Sequence, residues 1–276
     1  MRVLGLGSGG GLRQWLAAIG LCVLAHAATA QDIVPPPAVA IIIDDLGNQH
    51  DSGQRVVALP GALTCAFLPE TPYAARQAEA AYASGKEVML HMPMQSVEDR
   101  PLGPDALSLD MTQAEFLRTL ARALASIPHV RGINNHMGSL LTRHPGHMDW
   151  LMQAMAAGPD LFFVDSRTTA QTVAYRMAEE RRLPYIERDV FLDSETGSTE
   201  YVRKQFARLL ARAHAQGFAL AIGHPYPETL VVLEAELPRL AAEGIRLVPV
   251  SELIGIKEQR QLWQASLSPS RPAAKN

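Results

Sequence analysis

Seven short polar clusters in this sequence carry side chains that bind metals or move protons: Asp44-Asp45, Pro69-Glu70, His91, Asn134-Asn135-His136, Asp165-Ser166-Arg167, Arg188-Asp189 and His224. The adjacent carboxylates of Asp44 and Asp45 repel each other unless a cation or a proton sits between them, so the pair invites a metal. His91 is held between the apolar run Glu87-Val88-Met89-Leu90 and Met92-Pro93-Met94. His136 brings a second imidazole, and Asn134 and Asn135 bring amides able to ligate a metal or to donate to a sugar or acyl oxygen. His224 ends the apolar run from Phe218 to Gly223, a placement suited to a general acid or base in a partly desolvated pocket. Asp165, Arg167, Arg188, Asp189 and Asp193 are candidates for ion pairs that orient these groups. The set suits one divalent cation with proton-transfer groups beside it.

Each feature also has an ordinary explanation. One Asp of the pair could cap a helix, each His could be a packed and hydrogen-bonded residue, and the Asn-rich triplet could be a self-bonded turn. His144 and His147 flank Pro145-Gly146, where a solvated helix start competes with a second metal pair. Position decides in favour of chemistry, because each of the seven clusters directly follows an apolar run that reads as a strand. The strands are expected over 38–43, 63–68, 87–90, 130–133, 161–164, 185–186, 218–222 and 246–250. Between them, stretches rich in Ala, Leu, Glu and Arg with i, i+3, i+4 spacing predict helices over 72–84, 112–126, 145–157, 169–182, 199–216 and 227–242. Thr112 and Glu115 read as a capping box, and Gly85, Gly158, Gly217 and Gly244 fall where helices should end. Such alternation demands a mostly parallel sheet with right-handed crossovers, expected here to close as a barrel. All seven clusters then gather at the carboxyl ends of the strands, the face on which barrel active sites are built.

Residues 1–30 have the layout of a cleavable export signal: an uncharged run from Trp15 to Ala25 behind Arg2 and Arg13, then Ala28-Thr29-Ala30. Residues 31–37 read as a proline-rich linker, 38–256 as one domain, and 257–276 as a polar tail. The leader holds two of the 25 basic residues and none of the 28 acidic ones, so without it the formal charge moves from −3 to −5. That balance argues against nucleic acid or an anionic membrane surface as partner. No later segment is apolar enough to anchor the chain in a bilayer. Cys65 is the only cysteine outside the leader, so the folded part must be stable through its core. Export without disulfides fits the periplasm of a Gram-negative bacterium.

Six ordered segments carry a family resemblance: Ala40-Ile41-Ile42-Ile43-Asp44-Asp45-Leu46-Gly47, Leu90-His91-Met92-Pro93-Met94, Gly132-Ile133-Asn134-Asn135-His136-Met137-Gly138-Ser139, Phe163-Val164-Asp165-Ser166, Arg188-Asp189-Val190-Phe191-Leu192-Asp193 and Ile222-Gly223-His224-Pro225. From Val39 to Leu253 the chain resembles the divergent polysaccharide deacetylases, relatives of the NodB-type carbohydrate esterases. The resemblance implies a single distorted (β/α) barrel of about seven strands. It also implies one divalent metal, usually zinc, held by an Asp and two His, and removal of acetyl groups from an N-acetylated envelope polysaccharide such as a peptidoglycan-type glycan. Carried over by motif, Asp44 is the base, Asp45 and His91 are ligands, and His224 is the acid. The better known relatives place their second His ligand four residues after the first, where this chain has Gln95, and they have an arginine motif where this chain has Asn134-Asn135-His136. His136 is therefore expected to supply the missing imidazole from the neighbouring strand. Two other readings stand beside this one: an inactive glycan-binding or envelope-assembly module with a protein partner, and another metal-dependent esterase.

Overall fold

A computed structural model describes residues 35–98, 100–103, 105–158 and 160–267. The expected leader, residues 31–34 of the linker and residues 268–276 of the tail lie outside the described residues. The elements alternate: β1 (Ala38–Leu46), α1 (His50–Ala58), β2 (Thr64–Phe67), α2 (Ala74–Ala83), β3 (Glu87–Met94), α3 (Gln113–Ser126), β4 (Val130–Met137), α4 (Pro145–Ala157), β5 (Phe162–Asp165), α5 (Ala174–Glu180), β6 (Tyr185–Glu187), β7 (Val190–Phe191), α6 (Thr199–Gln216), β8 (Phe218–Gly223), α7 (Pro227–Glu236), β9 (Arg246–Leu247) and α8 (Val250–Leu267).

Every ladder is parallel, in the order β6-β5-β4-β3-β2-β1-β8-β7, with β9 pairing the start of β1. β1 lies in the middle with Ala38 to Ile43 wholly buried, which is why it reads as an unbroken apolar run rather than an alternating one. Two apolar layers result. Val39, Ile41 and Ile43 face the surrounding helices together with residues such as Leu90 and Phe163. Ala38, Ala40 and Ile42 face the interior of the curled sheet with Met89, Val164 and Ile222. Each buried isoleucine contributes on the order of 1.5–3 kcal/mol.

The curled sheet closes in an unusual way, because β6 and β7 share no ladder. The chain itself crosses the gap: Arg188 N still donates to Asp165 O of β5 at 3.0 Å, and the next residue, Asp189, donates its N to Leu220 O of β8 at 2.9 Å. The (β/α) barrel is thus distorted at this seam. At the opposite end from the polar clusters, Val250, Leu253 and Ile254 of α8 join the interior apolar cluster and plug the barrel.

The capping box at α3 is present, with Thr112 Oγ1 accepting from Glu115 N and Glu115 accepting from Thr112 N. Other expectations shift. α1 and β7 were not anticipated, α5 is shorter than the 169–182 stretch, and the strand expected over 246–250 is only Arg246–Leu247. α8 runs on to Leu267, past residue 257 where the polar tail was expected to begin. β3 and β4 run on through Met94 and Met137, so His91 and Asn134 to His136 stand inside strands rather than after them. Pro93 is tolerated there because its carbonyl points at Leu107 N, 2.8 Å away. Its missing N–H therefore falls on that loop edge and not on the β4 ladder. Among the described residues, no helix is long and apolar enough to cross a membrane.

Gly132 of β4 leaves room inside the barrel for the ring of Phe162, which any Cβ there would strike. Gly132→Ala should cost about 1–3 kcal/mol of stability by overpacking. Gly255→Ala, in α8 with nothing near the added methyl, should instead stabilise by about 0.5–1 kcal/mol. Thermal denaturation of the two variants checks this, and an unchanged midpoint for Gly132→Ala would show that Phe162 does not fill the barrel there.

Candidate active site

Strand periodicity chooses which polar groups reach the mouth of the barrel. Asp44 is in phase with the interior residues Ala38, Ala40 and Ile42, so its side chain faces inward. Asp45 would face outward on a regular strand. A bulge prevents this: Ile43 pairs with Cys65, but the next pairing is Leu46 with Phe67, so three steps on β1 match two on β2. Asp45 adopts φ 57°, a left-handed conformation that costs about 1 kcal/mol and that Asp tolerates better than most residues. The result is two neighbouring carboxylates on one side. His91 pairs with Asn134 and Pro93 with His136 across the β3–β4 ladder, which brings both imidazoles to the same face.

Three donor atoms meet there. Asp45 Oδ1 is 3.2 Å from His91 Nε2 and 2.9 Å from His136 Nδ1, and the two nitrogens are 3.1 Å apart. Ligands of a tetrahedral zinc ion are separated by roughly 3.3 Å when each lies about 2.0–2.1 Å from the metal. Asp45 Oδ1 is inaccessible to solvent yet receives no hydrogen bond of acceptable geometry. An orphaned carboxylate oxygen facing two imidazole nitrogens fits a divalent ion, and among the described residues this trio is the one group able to hold a metal with three such ligands.

The surrounding bonds fix the trio's chemistry. His91 Nδ1 donates to Asn134 Oδ1 at 2.8 Å, which leaves Nε2 as the lone-pair face turned to Asp45 and His136. Asn134 Nδ2 donates in turn to Asp44 Oδ1 at 2.8 Å. Burial raises the Asp44 carboxyl above its ordinary range, against the opposing pull of His91, His224 and the Asn134 bond. Burial also works against ionisation of Asp45, but the facing His136 and His91 outweigh it and hold that carboxyl far below the usual range. His91 loses charge to burial and regains it from Asp44 and Asp45, for a net rise.

His224 stands across from the trio, with Nε2 3.7 Å from Asp45 Oδ2. Its Nδ1 is 2.9 Å from Asp193 Oδ1, while Asp193 Oδ2 accepts from Thr229 Oγ1 at 2.7 Å and from the His224 backbone N at 2.6 Å. Burial lowers the imidazole pKa, but the bond to Asp193 and the charges of Asp193, Asp44 and Asp45 push it up to about 9. Phe191 and Tyr226 flank the ring, with Tyr226 stacked at 5.3 Å. Asp44, His91, His136 and His224 line one cavity of about 460 Å³. Two other cavities, of about 420 and 650 Å³, open at the amino ends of the strands and hold none of these groups.

Several expected site residues have other work. Asn134 is wholly buried and its side chain links His91 to Asp44, so it positions a ligand and does not present a donor to an oxyanion. The Asn135 amide is likewise committed, accepting from Ser166 N and donating to Met137 O. Asp165 accepts from Arg167 N and Thr172 Oγ1 and ties down the loop after β5. Asp189 turns away from the cavity: it accepts from Leu220 N and lies 3.2 Å from Arg212 of α6, pinning the seam of the barrel. Glu70 is exposed. Arg167 and Arg188 do line the cavity, and Arg100 joins them from the β3–α3 loop. Gln95 gives its side-chain oxygen to Leu109 N, 2.8 Å away, and plays no part in the trio. His147 is buried against Phe116 and Trp150 with Nδ1 3.0 Å from His144 Nδ1, so it is not a solvated helix start, and no third ligand joins the pair among the described residues. Sequence reasoning missed Tyr226 and Arg100; Tyr226 follows His224-Pro225 directly, whereas nothing in the loop sequence marks Arg100.

Comparison with known proteins places this geometry in context. The sequence profile described as "Divergent polysaccharide deacetylase" matches residues 41–254. The uncharacterized protein YibQ of Escherichia coli K12 is 38% identical over 216 residues, 78% of this chain and 67% of that protein. The crystal structure of uncharacterized protein ATU2773 from Agrobacterium tumefaciens C58 is 23% identical, covers 79% of this chain and 89% of that one, and superposes with a TM-score of 0.76. A CE4 family pseudoenzyme from Bacillus anthracis, BA3943, is 13% identical over 79% of this chain and 66% of its own, with a TM-score of 0.50, a likeness of fold alone.

Asp45→Asn, His91→Ala and His136→Ala should each strip a divalent metal from the purified protein, read by elemental analysis. Asn134→Leu should weaken it by about 10- to 100-fold through loss of the His91 tether, while Gln95→Ala should leave occupancy unchanged. Metal retained by His136→Ala and lost from Gln95→Ala would reverse the ligand assignment.

Proposed function

The chain belongs to the divergent polysaccharide deacetylases, and from that premise we propose that it is a metal-dependent hydrolase removing acetyl groups from an N-acetylated envelope polysaccharide. One observation carries this reading: two imidazoles of the trio, a buried carboxylate and a carboxylate-held imidazole line one cavity at the mouth of the barrel, with Asp45 in reach of both trio imidazoles. Asp45, His91 and His136 hold the ion, for which zinc suits the one-carboxylate, two-imidazole set. When bound, such an ion acidifies a water and polarises the acyl carbonyl, so that attack proceeds near neutral pH.

The chain's own groups handle the protons. Asp44 accepts one from the attacking water as the new C–O bond forms. Its raised pKa brings it closer to the working pH, where a general base is most effective, and its Oδ2 has no partner among the described residues. His224 donates a proton to the nitrogen as the C–N bond breaks, releasing acetate and a free amine. The Asp193 bond fixes its tautomer, turns Nε2 towards the trio and keeps it charged until it is needed. The leader-like run over residues 1–30 supports an exported, periplasmic place of action.

A second reading, a glycan-binding module without turnover, draws on the departure at Gln95 and on a fold shared with a pseudoenzyme. The two separate on one assay, acetate release from N-acetylated glycans by zinc-loaded protein. We expect release by the native chain and a loss of about 10²- to 10⁴-fold in kcat for Asp44→Asn or His224→Ala, with metal retained in both. Tight metal with no acetate from any glycan would replace the hydrolase by the binding module.

A further inference from the structure

The two sides of the metal trio differ sharply in charge. On one side a cavity of about 310 Å³ runs past Asp45 along Gly47, Asn48, Gln49, Ser52 and Tyr226, all uncharged. On the other, the cavity of about 460 Å³ carries one carboxylate, Asp44, and three guanidiniums, Arg100, Arg167 and Arg188. This concentration of positive charge stands in a chain with more acidic than basic residues overall.

The three arginines are not equally spent. Arg167 is offset by Glu187, 2.7 Å from its Nη1. Arg188 is half-buried and held by dipoles rather than by a counter-ion: Nε donates to Ser166 O at 2.7 Å, Nη2 donates to Arg167 O at 3.0 Å, and its guanidinium lies 4.7 Å from the centre of the Phe191 ring. Among the described residues Nη1 of Arg188 has no partner and the group forms no ion pair. Arg100 also lacks an ion pair among the described residues. The charges of Asp44 and Asp165 act on Arg188 without pairing with it, so a half-buried guanidinium keeps a donor free for an anion in the cavity.

We propose that this cavity is a subsite for a carboxylate on the glycan, gripped by Arg188 and Arg100, so that the substrate is an acidic polysaccharide and not a neutral one. The position of that carboxylate relative to the acetyl group rests on the deacetylase reading; the subsite itself does not. A monoanion suits the site better than a phosphate. The loop after β5 turns the carbonyls of Ser166 and Arg167 towards Arg188, whereas a phosphate site is built from converging backbone N–H groups. Arg188 and Arg100 then set specificity while the metal trio, Asp44 and His224 carry out the cleavage.

The test uses the zinc-loaded protein and three oligosaccharides of equal length: neutral oligo-N-acetylglucosamine, its 6-phosphorylated form, and a chain alternating N-acetylglucosamine with glucuronic acid. Calorimetric Kd and acetate release are both measured. The uronic oligomer should bind about 10- to 100-fold more tightly than the neutral one, the worth of one charge-assisted pair. Arg100→Ala and Arg188→Gln should each shrink the ratio of uronic to neutral affinity, and Arg100, on an exposed loop, keeps the test clear of folding defects. Equal affinity for neutral and uronic oligomers, preference for the phosphorylated one, or a preference that survives both substitutions would each overturn the subsite. Acidic preference without acetate release would sustain the subsite and defeat the deacetylase reading; equal acetate release from neutral and uronic oligomers would do the reverse.

Discussion

Two adjacent carboxylates at the end of a fully buried strand set the terms for everything around them. Asp44 is 2% exposed, so its charge sits where desolvation costs several kcal/mol unless it is compensated, while Asp45 is part-buried with only its Oδ1 shut off from solvent. Compensation is uneven. Asp45 faces two imidazoles and is held ionised, while Asp44 receives one amide bond and the more distant charges of His91 and His224, and its carboxyl is raised. Environments that push two neighbouring carboxyls apart give them different roles, one as a fixed charge and the other as a group that exchanges protons. The two carboxyls are therefore unlike in their local electrostatics, which is the difference that the proposed roles of ligand and base require.

That arrangement depends on the backbone in two places. The bulge at Asp45 turns a residue that alternation would send outwards into one that shares a face with its neighbour. The seam between β6 and β7 then allows the barrel to close without a ladder, since Arg188 ends its course along β5 and Asp189 begins the next along β8. Asp189, bonded to Leu220 N and near Arg212, holds that crossing. One residue earlier, Arg188 turns into the cavity. A single crossing thus anchors the fold with one side chain and lines the cavity with its neighbour.

Much of this was legible in the sequence because parallel strands buried on both faces read as apolar runs, and the polar residues that end the runs gather at one mouth. That rule brings Asp44, Asp45, His91, His136 and His224 together, and the structure places them at one mouth. What the rule could not supply was direction. Asn134 and Asn135 look like donors to a substrate, yet period-2 alternation and burial commit both amides to the protein, and only strand register reveals this. Asp189 reads in the sequence as part of an ion-pair network, and only the fold shows that the network pins the seam and not the site. The strand ends were set too early because His91, Pro93 and the Asn-Asn-His triplet interrupt the apolar pattern without interrupting the ladder. α8 was hidden twice over. Val250, Leu253 and Ile254 plug the barrel and resemble strand residues in sequence, while beyond residue 256 the helix leaves Leu262 and Trp263 exposed and so shows no apolar stripe.

Gln95 and His136 show how strand register decides which side chain faces Asp45 beside His91. Position 95 lies two inward-facing steps beyond His91, just past the end of β3, and here its carbonyl accepts from Leu140 N and Leu141 N at 3.2 and 3.0 Å, drawing it into the loop. Position 136 pairs with Pro93, only one inward step beyond His91, on the strand next door. Because neighbouring strands lie about 4.8 Å apart and successive inward residues about 6.6 Å apart, the adjacent strand offers an imidazole a shorter reach to Asp45 than the strand's own continuation does. A metal site asks only for donor atoms at the right separation. The sheet offers more than one sequence position for each of them, so the histidine that faces Asp45 beside His91 follows from register and not from spacing along the chain.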